Sequence, residues 1–448
     1  MAYQQSLLTR ELAHSGCFHK FRKIIYRQKL QGEVGLKKKQ LYAMGAFMVF
    51  TLIILIVVVT NEIVSYRNYR EEQGSLETSS DAVVSDESTI KNESTSTITD
   101  SQQPDRSDVT KNDQDNETSD NENNGMVSKD NSLEENISLA FTGDVLLSSS
   151  PLNKYDSVGG IHGILSDKLL EEMNGADIMM INEEFPFSTR GTQMQDKQYT
   201  FRTDPSRVGI LQEMGVDIVS LANNHTLDFG VEAMLDTLQT LKNENIKSVG
   251  AGENLEQAKE TVYLDVKGKT IAFLGASRVI PVYEWNATDT SPGLFTTYDP
   301  TTLLEEIRSA KEKSDLAIVY VHWGVEKQSR PEEYQRTMAK QYIDAGADIV
   351  IGSHPHVLQG IEFYNGKPII YSLGNFIFGD TIDQTALLKV NITKDNSISL
   401  SLLPCRTYNS LTEELTKDEE VQEFYDMMES ISYDINIDSD GNVLQLTN

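Results

Sequence analysis

From Ile137 onward one unit recurs: a short run of branched apolar residues, a polar group at its end, then an amphipathic stretch. The runs are Ile137–Thr142, Ile178–Ile181, Ile218–Leu221, Ile271–Leu274, Ala317–Val321, Ile349–Ile351 and Ile369–Tyr371. Between them, segments 164–174, 230–243, 301–313 and 331–345 space their apolar residues as helices do. Gly175-Ala176-Asp177, Gly215-Val216-Asp217 and Gly346-Ala347-Asp348 each precede a run. Glycine there suits a helix C-cap, with the strand entering two residues later. Repeated units of this kind predict an α/β domain. Leu387–Ile392 and Ile398–Leu403 read as a closing hairpin, and Val421–Met428 as one peripheral helix.

The residues at the strand ends are unusual. Ile137–Thr142 leads to Gly143-Asp144, Ile178–Ile181 to Asn182-Glu183-Glu184, and Ile218–Leu221 to Asn223-Asn224-His225. Ala317–Val321 leads to His322, and Ile349–Ile351 to Gly352-Ser353-His354-Pro355-His356. Ligand sites of open α/β sheets form at the carboxyl ends of strands. A lone histidine at a strand end is ordinarily a hydrogen-bonded one, but five polar strand ends are hard to explain by packing. Four of the seven histidines in the chain belong to this set. Mixed carboxylate, amide and imidazole donors suit Zn²⁺, Mn²⁺ or Fe rather than a thiolate-rich structural zinc. There is no Gly-x-Ser-x-Gly elbow, and no phosphate-binding glycine loop comes after a strand.

The first third of the chain has another character. Residues 41–60 are uncharged and rich in Leu, Ile and Val, long enough to span a hydrocarbon core of ~30 Å. Nine Lys and Arg precede this run, against Arg67 and Arg70 just after it. The positive-inside rule puts residues 1–40 in the cytoplasm and the rest outside. Cys17 and Cys405, the two cysteines, then lie on opposite sides and cannot pair within one chain. Residues 61–136 are acidic and poor in aromatic residues, and read as a disordered, extended linker. The net charge of -29 argues against nucleic acid as a partner. The domain plan is therefore 1–40 cytoplasmic, 41–60 transmembrane, 61–136 linker, 137–412 globular and 413–448 a peripheral C-terminal segment.

Taken as a set, Asn182-Glu183-Glu184-Phe185-Pro186, Ser220 to Asp228, Val321 to Glu326, Gly352 to His356 and Tyr371 to Phe376 resemble the CapA family of poly-γ-glutamate capsule synthesis proteins. That family is similar to calcineurin-like metallophosphoesterases. The resemblance implies a two-sheet sandwich flanked by helices and a site for one or two divalent ions (Mn, Zn or Fe). It implies Asp144 and His356 on one ion, Asn224, His322 and His354 on another, and Glu184 bridging. By donor chemistry alone either Glu183 or Glu184 serves; the family pattern favours Glu184. His225 would face the substrate as proton donor or electrostatic stabiliser. Leu146 stands where phosphoesterases commonly place a histidine, which leaves the first ion short of a ligand.

The implied function is the making, export or anchoring of poly-γ-glutamate or a related envelope polymer, by metal-dependent hydrolysis or transfer at an amide or phosphoester. The alternatives are a non-enzymatic polymer-binding assembly factor and a true phosphoesterase. The implied partners are the anionic polymer, the membrane and other capsule-synthesis membrane proteins. Further residues carry two readings each. Tyr199 and Arg202 bind a substrate carboxylate or form a surface turn. Asp228 orients His225 or closes a turn. Glu326 supports His322 or is a solvated charge. Asn375 shapes the pocket floor or a turn.

Overall fold

All seven apolar runs become strands, and the alternation of their side chains decides the layering. The structure is a computed structural model that describes residues 136–446. The expected cytoplasmic segment, membrane span and linker up to residue 135 lie outside the described residues. Among the described residues no helix is long and apolar enough to cross a membrane.

One sheet has the spatial order β17 (Ile435–Ile437), β18 (Asn442–Gln445), β15 (Ile398–Tyr408), β14 (Thr381–Ile392), β1 (Ile137–Leu146), β2 (Ile178–Glu183), β3 (Ile218–Ser220) and β4 (Lys247–Val249). β13 (Asn375–Phe378) joins it beside β1, and β16 (Leu411–Glu414) beside β15. The second sheet runs β11 (Leu358–Tyr364), β12 (Lys367–Leu373), β10 (Ile349–Ser353), β9 (Leu316–His322), β7 (Lys269–Ser277) and β6 (Val262–Val266). β5 (Ala251–Gly252) and β8 (Gly293–Leu294) form a separate ribbon. β1 to β4 are mutually parallel, as are β7, β9, β10 and β12.

Period-2 alternation sorts each central strand between two cores. On β9, Leu316, Ile318 and Tyr320 face the core between the sheets, with Ile137, Leu139 and Phe141 of β1 opposite. Ala317, Val319 and Val321 face outward onto helices α6 (Thr301–Lys313) and α7 (Glu333–Ala345). The outer face of the large sheet carries Met179, Ile181 and Val219 against α2 (Asp167–Asn174), α3 (Gly209–Glu213) and α4 (Val231–Asn243). The result is a helix–sheet–sheet–helix sandwich around one inner and two outer cores. α1 (Ser149–Val158) and α5 (Leu255–Ala258) complete these layers, with α8 (Asp418–Ile431) near the C-terminus.

The segment 413–448, read from sequence as peripheral, is built into the sandwich. The stripe Phe424, Tyr425 and Met428 of α8 is buried in the inner core, because helical spacing gathers those residues on one face. β18 then extends the large sheet beside β15, pairing Leu400 with Val443.

The Gly-x-Asp punctuation has a structural purpose. Each aspartate stands before a strand and accepts from the backbone N–H of the second residue of the neighbouring one. Asp177 accepts from Ser138, Asp217 from Met179, and Asp348 from Ala317, at 2.8 to 2.9 Å. Asp315 does the same for Thr270 at 2.9 Å. These bonds tie off the amino ends of the parallel strands and leave their carboxyl ends for the site.

Candidate metal centre

The carboxyl ends of β1, β2 and β3 meet those of β9 and β10 across the top of the inner core. Tyr320 closes the core below them, its hydroxyl donating to the Thr142 carbonyl at 2.8 Å. β1 is irregular there, with its register shifting between Phe141 and Asp144. The backbone runs so close to the β12–β13 turn that a Cβ on Gly143 would lie 1.9 Å from the Gly374 carbonyl oxygen. The Asp144 N–H donates to that same oxygen at 2.8 Å. The irregularity aims Asp144 into the site, as bulges next to active sites do.

Alternation on β2 places Asn182 and Glu184 on the site side. The Asn182 amide donates to Asp144 Oδ1 at 2.8 Å and lies 3.5 Å from Glu184 Oε2. Glu183 points away. Both its carboxylate oxygens are buried without a hydrogen-bond partner, and burial pushes its carboxyl well above the usual range. In Asn223-Asn224 the first asparagine is a brace, donating to Asn182 Oδ1 at 3.1 Å and the Glu183 carbonyl at 2.7 Å. The second reaches inward, its Oδ1 2.8 Å from His322 Nε2.

The imidazoles are held from behind. His322 Nδ1 lies 2.9 Å from Ser353 Oγ, His356 Nδ1 2.7 Å from Asn375 Oδ1, and His225 Nδ1 2.7 Å from Asp228 Oδ2. Their Nε2 atoms gather about Glu184 Oε1, at 3.9 Å for His322 and His356 and 4.0 Å for His225. His354 Nδ1 lies 3.1 Å from His322 Nε2, and His356 Nδ1 3.2 Å from Asp144 Oδ2. His354 and His356 have φ of 98° and 57°, a left-handed backbone that L-residues adopt at a cost and that collects at functional sites.

Asp144 Oδ2 and Glu184 Oε1 are buried without a hydrogen-bond partner. Burial, with Asp144 beside it, pushes the Glu184 carboxyl well above its usual range. Burial also drives His322 well down, and His354 to about 3. Each shift has one origin: carboxylate oxygens and imidazole lone pairs are gathered away from water with too few donors. That donor set fits a divalent ion. Asp144, Glu184 and His356 offer ligand atoms within 4.8 Å of one another. Asn224 and His354 both meet His322 Nε2, which lies 3.9 Å from Glu184 Oε1.

The remaining candidates divide. Asn375 is in the site through His356. Asp228 is fully buried, with Oδ2 2.7 Å from His225 Nδ1 and its N–H closing a turn onto the His225 carbonyl. Glu326 is exposed, and the hydrogen bonds of His322 go to Ser353 and Asn224 instead. Tyr199 is 61% exposed. The Arg202 guanidinium stacks 4.0 Å from the Phe229 ring and donates to the Arg190 carbonyl. Leu146 is buried among apolar neighbours.

Sequence reasoning gave no role to Asn182, Asn223, Ser353 or Lys197. Period-2 alternation from Glu184 would have found Asn182. No local signal marks Lys197, whose ammonium reaches Asp228 and the Asn224 carbonyl across the loop.

Comparison with known proteins agrees with these motifs. Residues 138–380 match the family described as bacterial capsule synthesis protein PGA_cap. The PGA biosynthesis protein CapA of Bacillus subtilis is 34% identical over 288 residues, covering 63% of this chain and 74% of that one. The capsule biosynthesis protein CapA of Bacillus anthracis is 34% identical over 242 residues, covering 52% and 58%. Among solved structures, the NAD nucleotidase of Haemophilus influenzae aligns with a TM-score of 0.34 at 13% identity, covering 66% of this chain and 57% of that one. The family match spans more than half of the chain and every strand end that builds the site, so the chain belongs to the bacterial capsule synthesis protein PGA_cap family.

Proposed function

We propose that this protein is a membrane-anchored, extracytoplasmic hydrolase or transferase that acts on poly-γ-glutamate or a related anionic envelope polymer, with a divalent metal at the centre formed by these strand ends. One observation carries the metal-dependent reading: two buried carboxylate oxygens, Asp144 Oδ2 and Glu184 Oε1, lack a hydrogen-bond partner and face imidazole nitrogens, the nearest being His356 Nδ1 at 3.2 Å from Asp144 Oδ2. The polymer is taken from the names of the relatives, and the anchor from the uncharged 41–60 run.

Asp144, Glu184 and His356 would hold one ion, and Asn224, His322 and His354 a second, with Glu184 shared. A divalent ion there supplies Lewis acidity towards an amide or phosphoester. The chain's own residues do the rest. Ser353, Asn375 and Asp228 fix three imidazoles in place, as partners of metal-binding histidines do. His225 presents Nε2 beside Glu184 while Asp228 holds Nδ1, which suits proton transfer to a leaving group. The low-polarity walls strengthen every charge interaction inside.

Leu146 supports a second reading. It is a buried aliphatic residue where the phosphoesterase pattern has a histidine, so the first ion would be a ligand short. A lean ion suits an assembly factor that binds polymer carboxylates without cleaving them. The test is turnover of γ-glutamyl peptides and phosphodiesters by the full chain, with and without Mn²⁺ or Zn²⁺. Metal-dependent turnover supports catalysis; metal-dependent polymer binding without turnover supports the assembly factor. Protease added to intact cells tests the anchor: cleavage within 71–135 is expected, and full protection there would reverse the topology.

A further inference from the structure

Residues 186–204 leave β2 as an irregular loop whose neck is closed by backbone bonds. Ser188 donates to the Thr203 carbonyl and Thr203 to the Pro186 carbonyl, both at 3.0 Å. The loop is moulded onto the segment that carries Asn224, His225 and Asp228. The Met194 N–H donates to the Asp228 carbonyl at 2.8 Å, and the Phe201 N–H to Asp228 Oδ2 at 2.7 Å. A Cβ on Gly191 would lie 2.0 Å from the Phe229 carbonyl oxygen. The Phe201 ring lies against the His225 imidazole, with centroids 4.4 Å apart.

Arg190 and Arg202 of this loop are exposed, but its third cation, Lys197, is turned inward. Its side chain is 13% exposed. Its ammonium donates to Asp228 Oδ1 and the Asn224 carbonyl and lies 3.0 Å from His225 Nδ1. Trp285 covers it, the ammonium being 5.3 Å from the ring centroid. An ammonium has three donors and no acceptor. Here two of them meet a carboxylate and a carbonyl, and the ammonium packs beside His225 Nδ1, whose own hydrogen bond goes to Asp228 Oδ2. A lysine buried only to close a loop needs one partner, and any carboxylate would do. This one meets the residues on both sides of the metal-facing turn, Asn224 through its backbone and His225 through its orienting aspartate.

The geometry points to Lys197 as a positioning residue that locks the His225 imidazole towards the metal centre through Asp228 and the Asn224 carbonyl. The inference deepens the function proposed above and rests on its reading of His225. It assigns the 186–204 loop the task of fixing the proton-transfer group.

The test uses the full chain and diethyl pyrocarbonate, which modifies imidazole nitrogens, with peptide mass spectrometry to follow each histidine. In Lys197→Met, His225 should be modified several-fold faster. Exposed His162 should react as before, and bound Mn²⁺ should be unchanged. Lys197→Arg should restore slow modification. Where turnover is measurable, kcat should fall by roughly 10²-fold with KM little changed. If Lys197→Met does not fold, Lys197→Gln keeps two N–H donors and takes its place. Unchanged His225 reactivity in a folded variant would overturn the inference. So would equal acceleration of His225, His322, His354 and His356, which marks a merely structural residue. A wild-type protein without turnover counts against the hydrolytic reading alone, and the imidazole reactivity still decides on Lys197.

Discussion

Two buried polar clusters, one on the second sheet around Glu362 and one where the strand ends of both sheets meet around Glu184, are balanced in opposite ways. Around Glu362 on β11, Arg336 donates through Nε and NH2, each at 3.0 Å, and Tyr371 donates at 2.7 Å. Lys340 adds a contact at 2.9 Å. Burial alone would raise the Glu362 carboxyl, but these partners hold it below its usual range. Around Glu184 the same burial meets the Asp144 carboxylate, which outweighs the charge of Lys197, and the carboxyl is driven up. A satisfied cluster is a brace. A cluster with orphaned oxygens is unfinished as a structure, and a cation finishes it. Burial and charge do not separate the two; the count of donors does.

The contrast predicts that changes at the site cost chemistry and changes at the brace cost stability. The largest effect is expected at His225. His225→Ala should lower metal-dependent turnover by roughly 10²–10⁴-fold, while bound metal and thermal stability change little. Normal polymer output from cells carrying that variant would move the protein to the assembly-factor reading.

Glu362→Ala comes next. It leaves Arg336 and Lys340 without their carboxylate, and both are only partly exposed. A loss of about 3 kcal/mol in denaturant unfolding is expected, the low end for breaking a buried pair, with bound metal unchanged. The pH dependence comes from the lowered carboxyl. The stabilisation is present above the ordinary carboxylate range and is lost as pH falls through the lowered value. The gap between wild type and Glu362→Gln should therefore narrow in acid, and a gap that widened would contradict the pairing.

Glu184→Gln sharpens the comparison by inverting its sign. Without metal it should stabilise the protein by about 1–3 kcal/mol, the scale of a relieved unsatisfied group. It should also abolish the stabilisation that Mn²⁺ or Zn²⁺ gives the wild type, about 2.7 kcal/mol at a hundredfold excess over Kd. Equal loss of stability with and without metal would make this cluster a second brace. Glu326→Gln is the smallest case: stability should change by less than about 0.5 kcal/mol, and metal content should stay as it was.

Much of this is legible in the order of residues alone. β1, β2, β3, β7, β9, β10 and β12 are short apolar runs because both of their faces are buried, and such runs are visible in a sequence. Their polar ends gather carboxylates, amides and imidazoles, while the choice of Asp144, Glu184, Asn224, His322, His354 and His356, and of Glu184 over Glu183, comes from the family resemblance. Lys197 is illegible, because Gln195-Asp196-Lys197-Gln198 reads as a solvated turn. Only the fold of residues 186–204 onto the His225 segment buries it. Asn375 is legible as a candidate, but its bond to His356, which crosses from β13 to the β10–β11 connection, is not. Glu326 fails the other way: it stands close behind the Val321-His322-Trp323-Gly324 motif in sequence, but the chain turns it out to solvent. β17 and β18 escape notice because they are short and alternate with polar residues, which a loop also does.

On the function proposed here, the orphaned oxygens of Asp144 and Glu184 await a cation. This is tested most directly by elemental analysis of the full chain purified without chelator, alongside His356→Ala. The wild type should carry a stoichiometric divalent transition metal and melt higher when Mn²⁺ or Zn²⁺ is restored after chelation, and His356→Ala should carry less. A wild-type protein free of transition metal, with a melting temperature indifferent to both ions, would contradict the account.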